Sequence, residues 1–261
     1  MSMSRRSNLF SRPGIYIACV LYIALTYALL AMGNEMIAAT TPEDHYFELI
    51  GSFALLVTSL LFLYGFFVAR KTLDKSWMSL VKKLVYLALA LLFFFGAGEE
   101  ISWGQRILGF QTPEQVAEVN TQEEFNTHNL AVWQNSGFLD ANRLFDAFWF
   151  LFAVLTPVAA MLVPAFRQFA RRFIPLVHWA PGALFIYNYL WAKLAKVIFA
   201  GVYAFEKITL TQAVQEIKES NYAIIFILVG VLAVLDLRKS EAGSAVARQR
   251  SNIKAEPAFH E

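Results

Sequence analysis

The chain has 261 residues, of which 57% are hydrophobic and 16% charged, and its mean hydropathy is +0.48. Average soluble domains carry about 25% charged residues. This composition, together with apolar runs that recur along the chain, excludes an ordinary soluble domain and a disordered chain. The runs are continuous rather than alternating, which is not the pattern of a transmembrane β-barrel. The sequence therefore predicts an all-α integral membrane protein.

Apolar runs long enough to span a bilayer recur along the chain, because a hydrocarbon core of about 30 Å needs about 20 helical residues. We predict six spans, at residues 14–32, 47–68, 84–98, 147–166, within 176–205, and at 222–237. The third run is long enough only if its helix continues through Ser102. Before the sixth span, the sequence predicts a short amphipathic surface helix at residues 209–221, with Glu216 and Glu219 exposed.

The distribution of charge predicts the orientation of this bundle. Most of the 22 Lys and Arg residues lie in the N-terminal tail, the loops after the second and fourth spans, and the C-terminal tail. The opposite loops are acidic, so the positive-inside rule predicts that both termini are cytoplasmic. Residues 1–238 then form one transmembrane domain with an extracytoplasmic loop at 99–146, and the polar segment 239–261 is predicted to be a disordered cytoplasmic tail.

The loop at 99–146 is more polar than a spacer needs to be. Glu99 and Glu100 follow an apolar run directly, where the third span leaves the hydrocarbon. If the helix continues, Trp103 and Arg106 share a face with Glu99, and Arg106 approaches it. Carboxylates at such a boundary are costly unless they are paired, protonated or metal-bound. The pair therefore predicts either an interfacial ion pair with a Trp anchor or the wall of a site.

Two further patterns follow in the same loop. The T-P-E-Q string that begins at Thr112 predicts a short helix to about Val119, with Thr112 as its cap. Polar residues then recur at every second position from Asn120 to His128. A strand would project them to one face, whereas a helix would make Glu124 and His128 neighbours at i, i+4. Either geometry brings a carboxylate close to the imidazole.

These patterns give the candidate site. We predict Glu99, Glu100, Glu124 and His128 as catalytic groups, with His128 and Glu124 as ligands of a divalent metal in one version and acid–base chemistry without metal in the other. The third interpretation of His128 is a structural residue that is held by hydrogen bonds. Residues predicted to bind the substrate are Trp103, Gln105, Arg106, Asn126, Lys193 and Lys196. The two lysines lie three residues apart within the fifth apolar run and would face an anionic headgroup or snorkel outward.

The strings from Glu99 to Asn129 carry a resemblance. E-E-x-S-W-G-Q-R, then T-P, then N-x-Q-x-E-x-N-x-H-N resemble the signature of a group of bacterial multi-pass membrane proteins to which no activity is assigned. The Glu-Glu pair is also similar to that of membrane-embedded CAAX-type proteases, which place Arg after three residues and carry a later F-x-x-x-H. Here Arg106 follows after five residues and Phe125 precedes His128 by three positions, so the roles do not transfer directly.

Together these features predict a multi-pass protein of a bacterial inner membrane with an outward-facing polar site. An enzyme that acts on a membrane lipid or lipid-linked envelope substrate is one interpretation. A transporter or binding protein for a polar or anionic substrate, and a scaffold subunit of a membrane complex, are the alternatives. We predict no nucleic-acid partner.

Overall fold

The computed structural model describes residues 13–33, 35, 37, 46–132, 141–200 and 207–255, and within these ranges it leaves out the side chains of Arg106, Ala141 and residues 207–209 and 240–255. Within these ranges the secondary structure is helical, and extended pairing is limited to an isolated bridge between Asn120 and Leu130. The all-α class is therefore confirmed.

The helices are numbered in chain order. They are α1 (Pro13–Ala28, extended by a 3₁₀ turn Leu29–Met32), α2 (Tyr46–Thr72), α3 (Trp77–Glu100), α4 (Gln105–Leu108), α5 (Glu114–Ala117), α6 (Ala141–Trp149, continued by a π-helical segment Phe150–Leu155), α7 (Thr156–Leu162), α8 (Pro164–Phe173), α9 (Ala180–Ala200) and α10 (Lys207–Ala255).

Six stretches of the described residues are helical, long and apolar enough to cross a membrane, which confirms the six-helix membrane bundle. They are Pro13–Met32, Tyr46–Thr72, Trp77–Glu100, Asn142–Leu162, Ala180–Ala200 and Leu210–Lys239. The third reaches spanning length by starting earlier than predicted, because the Ser76 side chain caps its first turn by accepting from the N–H of Ser79. The fourth stops at Leu162, since Pro164 begins a separate helix.

The last helix differs most from its prediction. The expected surface helix at 209–221 and the sixth span are one helix, α10, with neither Gly nor Pro between Lys207 and Val229 to interrupt it. The helix also continues to Ala255, through most of the segment whose composition predicts disorder; residues 256–261 lie outside the described part. Glu216 and Glu219 are half-buried rather than exposed, because this part of α10 is covered by other helices.

Helix α10 is the centre of the bundle. In its span, 67% of the most apolar window is buried, more than in any of the other spans. Its most extensive packing is against α2, which in turn packs along α3. The hydroxyls of Ser52 and Ser59 in α2 donate to the carbonyls of Ala97 and Ala90 in α3, each at 2.8 Å. Small side chains at these positions let the two helices approach closely.

A buried amide network joins α1, α9 and α10. Asn188 is fully buried, and its Oδ1 accepts hydrogen bonds from the Tyr27 hydroxyl and from Asn221 Nδ2, both at 3.0 Å. Asn221 Nδ2 also donates to Thr26 Oγ1 at 2.9 Å, and Asn188 Nδ2 donates to the backbone carbonyl of Lys218 at 2.9 Å. Because lipid offers no alternative partners, these bonds fix the relative rotation of three helices.

The fourth span contains a π-helical segment with an identifiable cause. Pro157 has no N–H to donate to the carbonyl of Ala153 four residues earlier, and its ring crowds that carbonyl. The freed carbonyl lies against Gly182 of α9: a Cβ built on Gly182 would be 2.3 Å from the Ala153 oxygen. The close crossing of these two helices therefore requires glycine at position 182.

His178 anchors the turn that leads into α9. Its Nε2 lies 2.7 Å from the Tyr16 hydroxyl in α1, and its Nδ1 accepts a hydrogen bond from the backbone N–H of Ala180 at 3.2 Å. A ring nitrogen that accepts a hydrogen bond carries no proton. Burial accordingly lowers the pKa of His178 below its usual value.

Acidification is expected to destabilise the wild-type protein more than a His178→Gln variant. The unfolded chain takes up a proton at His178 as the pH falls below about 6.5, whereas the folded chain resists it. This contribution to stability is fully present above that pH and is lost as the pH falls toward the lower folded pKa. The thermal unfolding midpoint in detergent, measured between pH 8 and pH 5, tests this difference. Equal pH dependence of the two proteins would contradict it.

Candidate functional site

The third span ends in a sharp reversal of the chain. Helix α3 stops at Glu100, and Ser102, Trp103 and Gly104 take positive φ values of 45°, 54° and 76°. The helix therefore does not continue to place Glu99 and Arg106 on one face. The Trp103 ring folds back over α3, where a Cβ on Gly98 would be 2.8 Å from it. Arg106 has its backbone in α4, but its side chain lies outside the described part of the chain.

The side chain of Glu99 holds this reversal and a distant loop together. Its Oε1 accepts from Trp103 Nε1 at 2.7 Å. Its Oε2 accepts from the Thr127 backbone N–H at 2.6 Å, the Thr127 hydroxyl at 2.8 Å and the His128 backbone N–H at 3.0 Å. Glu99 is only 6% exposed, so these bonds replace water at both oxygens.

A second buried cluster lies beside it. Glu124 Oε2 accepts from the Ser102 hydroxyl at 2.8 Å and from Asn126 Nδ2 at 2.7 Å. Asn126 in turn accepts at Oδ1 from Asn120 Nδ2 at 2.9 Å. Glu124, Asn126 and Asn120 are all buried, so the polar residues of this loop mainly satisfy one another. The structure gives Asn126 a scaffolding position; its predicted contact with a substrate stays a prediction.

The segment 120–130 is neither the strand nor the helix that its alternation allowed. Its backbone turns around Asn120, whose Oδ1 accepts from the N–H groups of Gln122 and Glu124 at 2.9 and 3.2 Å. The bonds from Thr121 N to Asn129 O and from Ala131 N to Val119 O, each 2.8 Å, close the loop. His128 therefore meets Glu99 rather than Glu124: Nδ1 lies 3.4 Å from Glu99 Oε2.

The T-P-E-Q string begins a helix one residue later than predicted. Helix α5 starts at Glu114 with Pro113 before it, and no side chain caps it. The Thr112 hydroxyl instead accepts from Gln105 Nε2 at 2.8 Å, and Gln105 Oε1 accepts from the Phe125 N–H at 2.7 Å. The predicted capping box is therefore wrong, and Gln105 tethers α4 to the neighbouring loop.

A cavity of about 570 Å³ opens beside Glu99 and His128. Its walls come from the first turns of α2, the last turns of α3, the 122–129 loop, α6 and the first half of α10. Leu55, Phe93, Phe145, Phe148 and Ala223 give it an apolar part. The acidic residues that line it are Glu48, Glu99, Glu100, Glu124, Glu216 and Glu219.

Carboxyl groups predominate in the lining of this cavity. Glu100 interacts electrostatically with the carboxylates of Glu219, Glu216, Glu48 and Glu99. Among the residues with described side chains, His128 is the only basic one in the lining. Lys218 is not part of the lining: its Nζ lies 4.0 Å from Asp146 Oδ2 and over the Tyr222 ring, although it also interacts electrostatically with Glu219. An acidic, partly buried cavity favours a cationic ligand.

Three of the six acidic residues that line this cavity are not among the predicted site residues. The sequence pattern gives no sign that Glu48 belongs to a site, and it predicts that Glu216 and Glu219 lie on a solvated surface. The sequence of α10 does contain a pattern that indicates this wall of the cavity. Its polar residues recur at the i, i+3, i+4, i+7 spacing of one helical face, at Gln212, Gln215, Glu216 and Glu219, and Ala223 continues that face. Because α10 is a single helix, this largely polar stripe lies inside the bundle.

The predicted lysines and metal ligands are placed differently. Lys193 is exposed with Nζ 5.2 Å from the centroid of the Tyr189 ring, and neither Lys193 nor Lys196 lines the acidic cavity. Over the described ranges, no three His, Cys, Asp or Glu side chains come together as a metal site. The metal at His128 and Glu124 stays a prediction.

Comparison with known proteins adds no identity to this geometry. No family model, curated protein or solved structure matches the chain. The function is therefore inferred from the cavity and its residues alone.

Proposed function

We propose that this multi-pass protein of a bacterial inner membrane is an enzyme that performs acid–base chemistry on the headgroup of a membrane lipid or lipid-linked substrate. The observation that carries the proposal is the Glu99–His128 pair at the wall of the acidic cavity. The cavity lining combines polar groups with apolar side chains, which suits an amphipathic substrate.

The pair has the arrangement of a base and its orienting carboxylate. His128 Nδ1 faces Glu99 Oε2 at 3.4 Å, a separation that would tighten when a substrate is bound. An Nδ1–H held by Glu99 leaves Nε2 without a proton and able to accept one from a substrate hydroxyl or amine. The hydrogen bonds from Trp103 and Thr127 fix Glu99, so the imidazole is positioned by a rigid partner.

The carboxyl groups of the cavity indicate the substrate class. Glu100, Glu216 and Glu219 offer no positive charge to an anionic headgroup, and their oxygens can accept hydrogen bonds from an ammonium group or from sugar hydroxyls. This argument favours a cationic or hydroxylated headgroup over the anionic headgroup that the sequence offers for Lys193 and Lys196. A lipid amine or glycosyl headgroup, with its acyl part against Phe93 and Phe148, fits both halves of the cavity.

Lipid analysis of cells that express the protein tests the proposal. Wild type, His128→Gln and the exposed-loop control Glu118→Gln are produced at equal membrane levels, and total lipids are compared by mass spectrometry. General acid–base catalysis contributes about 10²–10⁴-fold to rate, so His128→Gln should abolish the lipid change that wild type and Glu118→Gln produce. Identical lipid profiles for wild type and His128→Gln would contradict an enzymatic role.

The acidic lining also supports a second function, binding or transport of an organic cation. In that case Glu216→Gln and Glu219→Gln should each weaken uptake of a radiolabelled ammonium compound into proteoliposomes, while His128→Gln should leave uptake largely intact. The opposite ranking favours the enzyme.

Metal dependence has a separate test. Plasma mass spectrometry of the detergent-purified wild type, His128→Ala and Glu124→Ala proteins measures bound metal. A near-stoichiometric metal that both variants lose would support metal-assisted chemistry, and a metal-free folded wild type would leave acid–base chemistry alone.

A further inference from the structure

A second cavity, of about 310 Å³, lies at the other end of the bundle. Its lining comes from α7, α8, residues 176–179 before α9, and α10 between Leu232 and Lys239. On α10, Glu219 of the acidic cavity and Lys239 of this one are separated by about 30 Å at the helical rise of about 1.5 Å per residue. The two cavities are therefore separate sites near opposite ends of the membrane-spanning region.

Positive charge predominates in this second cavity. Arg167 and Arg171 are four residues apart on α8 and both line it, and Lys239 of α10 joins them. Asp236 is the one carboxylate among its described lining residues. His178 also lines it, but the ring is held neutral by its bonds to Tyr16 and to the backbone. The cations thus outnumber the carboxylate.

Apolar side chains form most of the remaining walls, at the level where the fourth span ends and the fifth begins. Ala170 of α8 packs with Ala160 of α7 and Leu176, which holds α8 against the end of the fourth span. Met161 and Trp179 line the same cavity and are largely exposed at the bundle surface. Tryptophan is typical of the headgroup level of a membrane, so Trp179 favours a position of this cavity at the depth of lipid phosphates.

We infer that this cavity binds a phosphate group, and that an anionic membrane lipid supplies it. Arg167 and Arg171 can each offer paired N–H donors to phosphate oxygens, and Lys239 adds a third cation from another helix. The apolar walls at Met161, Leu176 and Leu232 would cover the first part of the acyl chains, which a soluble phosphate ester does not have.

Native mass spectrometry of the full chain tests this inference. The protein is delipidated in detergent and then exchanged against equal amounts of phosphatidylglycerol and phosphatidylcholine. Wild type should retain phosphatidylglycerol at least about fivefold over phosphatidylcholine. The double variant Arg167→Ala/Arg171→Ala should lose this preference, whereas Arg172→Ala, on the same helix but outside the cavity lining, should keep it. Lys239→Ala should weaken the preference without altering α8.

Two results would overturn the inference: no lipid preference in wild type, or an unchanged preference in both the double variant and Lys239→Ala. Titration with inorganic phosphate and glycerol 3-phosphate, followed by thermal unfolding, identifies the source. In one outcome, phosphate at millimolar or lower concentration stabilises wild type, and yet wild type shows no preference for phosphatidylglycerol. That result would support a phosphate site but contradict an anionic lipid as the source of the phosphate.

Discussion

Glu99→Ala is expected to unfold the loop at 101–132 while the spanning helices remain folded. The substitution removes the acceptor of the Trp103 indole, the Thr127 N–H and hydroxyl, and the His128 N–H at once. A hydrogen bond to a charged group contributes about 1.5–3 kcal/mol, so the loss of these bonds should cost the loop several kcal/mol even though the donors are only partly buried. Hydrogen–deuterium exchange of the Thr127 and His128 amides measures the effect, and exchange should rise by at least about 100-fold.

Two further variants control for charge and for position. Glu99→Gln keeps the shape but turns an NH₂ donor toward the N–H groups of Thr127 and His128 or toward the Trp103 indole, and should therefore lose most of the same protection. Glu118→Ala, in an exposed part of the same loop, should leave exchange unchanged. Wild-type protection in Glu99→Ala would show that Glu99 does not hold the loop.

Gly182→Ala is expected to destabilise the whole bundle. The added methyl group would meet the backbone carbonyl of Ala153 at 2.3 Å, and a backbone atom cannot rotate aside as a side chain can. Overpacking of a tight core typically costs about 1–3 kcal/mol, and a backbone clash belongs at the upper end. The thermal unfolding midpoint in detergent should fall by on the order of 10 °C.

The matched control is Gly14→Ala in α1. There the added methyl group has open space around it, and alanine is the better helix former by about 1 kcal/mol. Gly14→Ala should therefore leave the midpoint unchanged or raise it slightly. Equal midpoints for Gly182→Ala and wild type would mean that α9 can move away from the π-helical segment freely.

The local parts of the fold were predictable because they depend on neighbouring residues. Each predicted span overlaps a helix of the structure, since length and apolar composition decide whether a segment can cross a bilayer. The start of α3 at Trp77 was missed because its capping residue, Ser76, lies within a polar, basic segment. The π-helical segment was missed too, although Pro157 removes a backbone donor wherever it stands in a helix.

The candidate site was predictable only in part. The loop from Glu99 to Asn129 does contain Glu99, Glu124 and His128 of the cavity wall. Their pairing was not predictable, because the positive φ values at Ser102 and Trp103 reverse the chain and bring His128 to Glu99 instead of Glu124. Spacing rules apply within a regular strand or helix, and this loop is neither.

The sequence by itself determined the membrane class, the six spans and the polar loop, because hydrophobicity and helix length are properties of contiguous residues. Only the tertiary structure decided that Glu48, Glu216 and Glu219 join Glu99 and Glu100 around one acidic cavity, and that Arg167, Arg171 and Lys239 share another. The physical reason is that these residues lie on different helices, and the rotation and crossing of each helix are set by contacts such as Ala153–Gly182 and Asn188–Asn221.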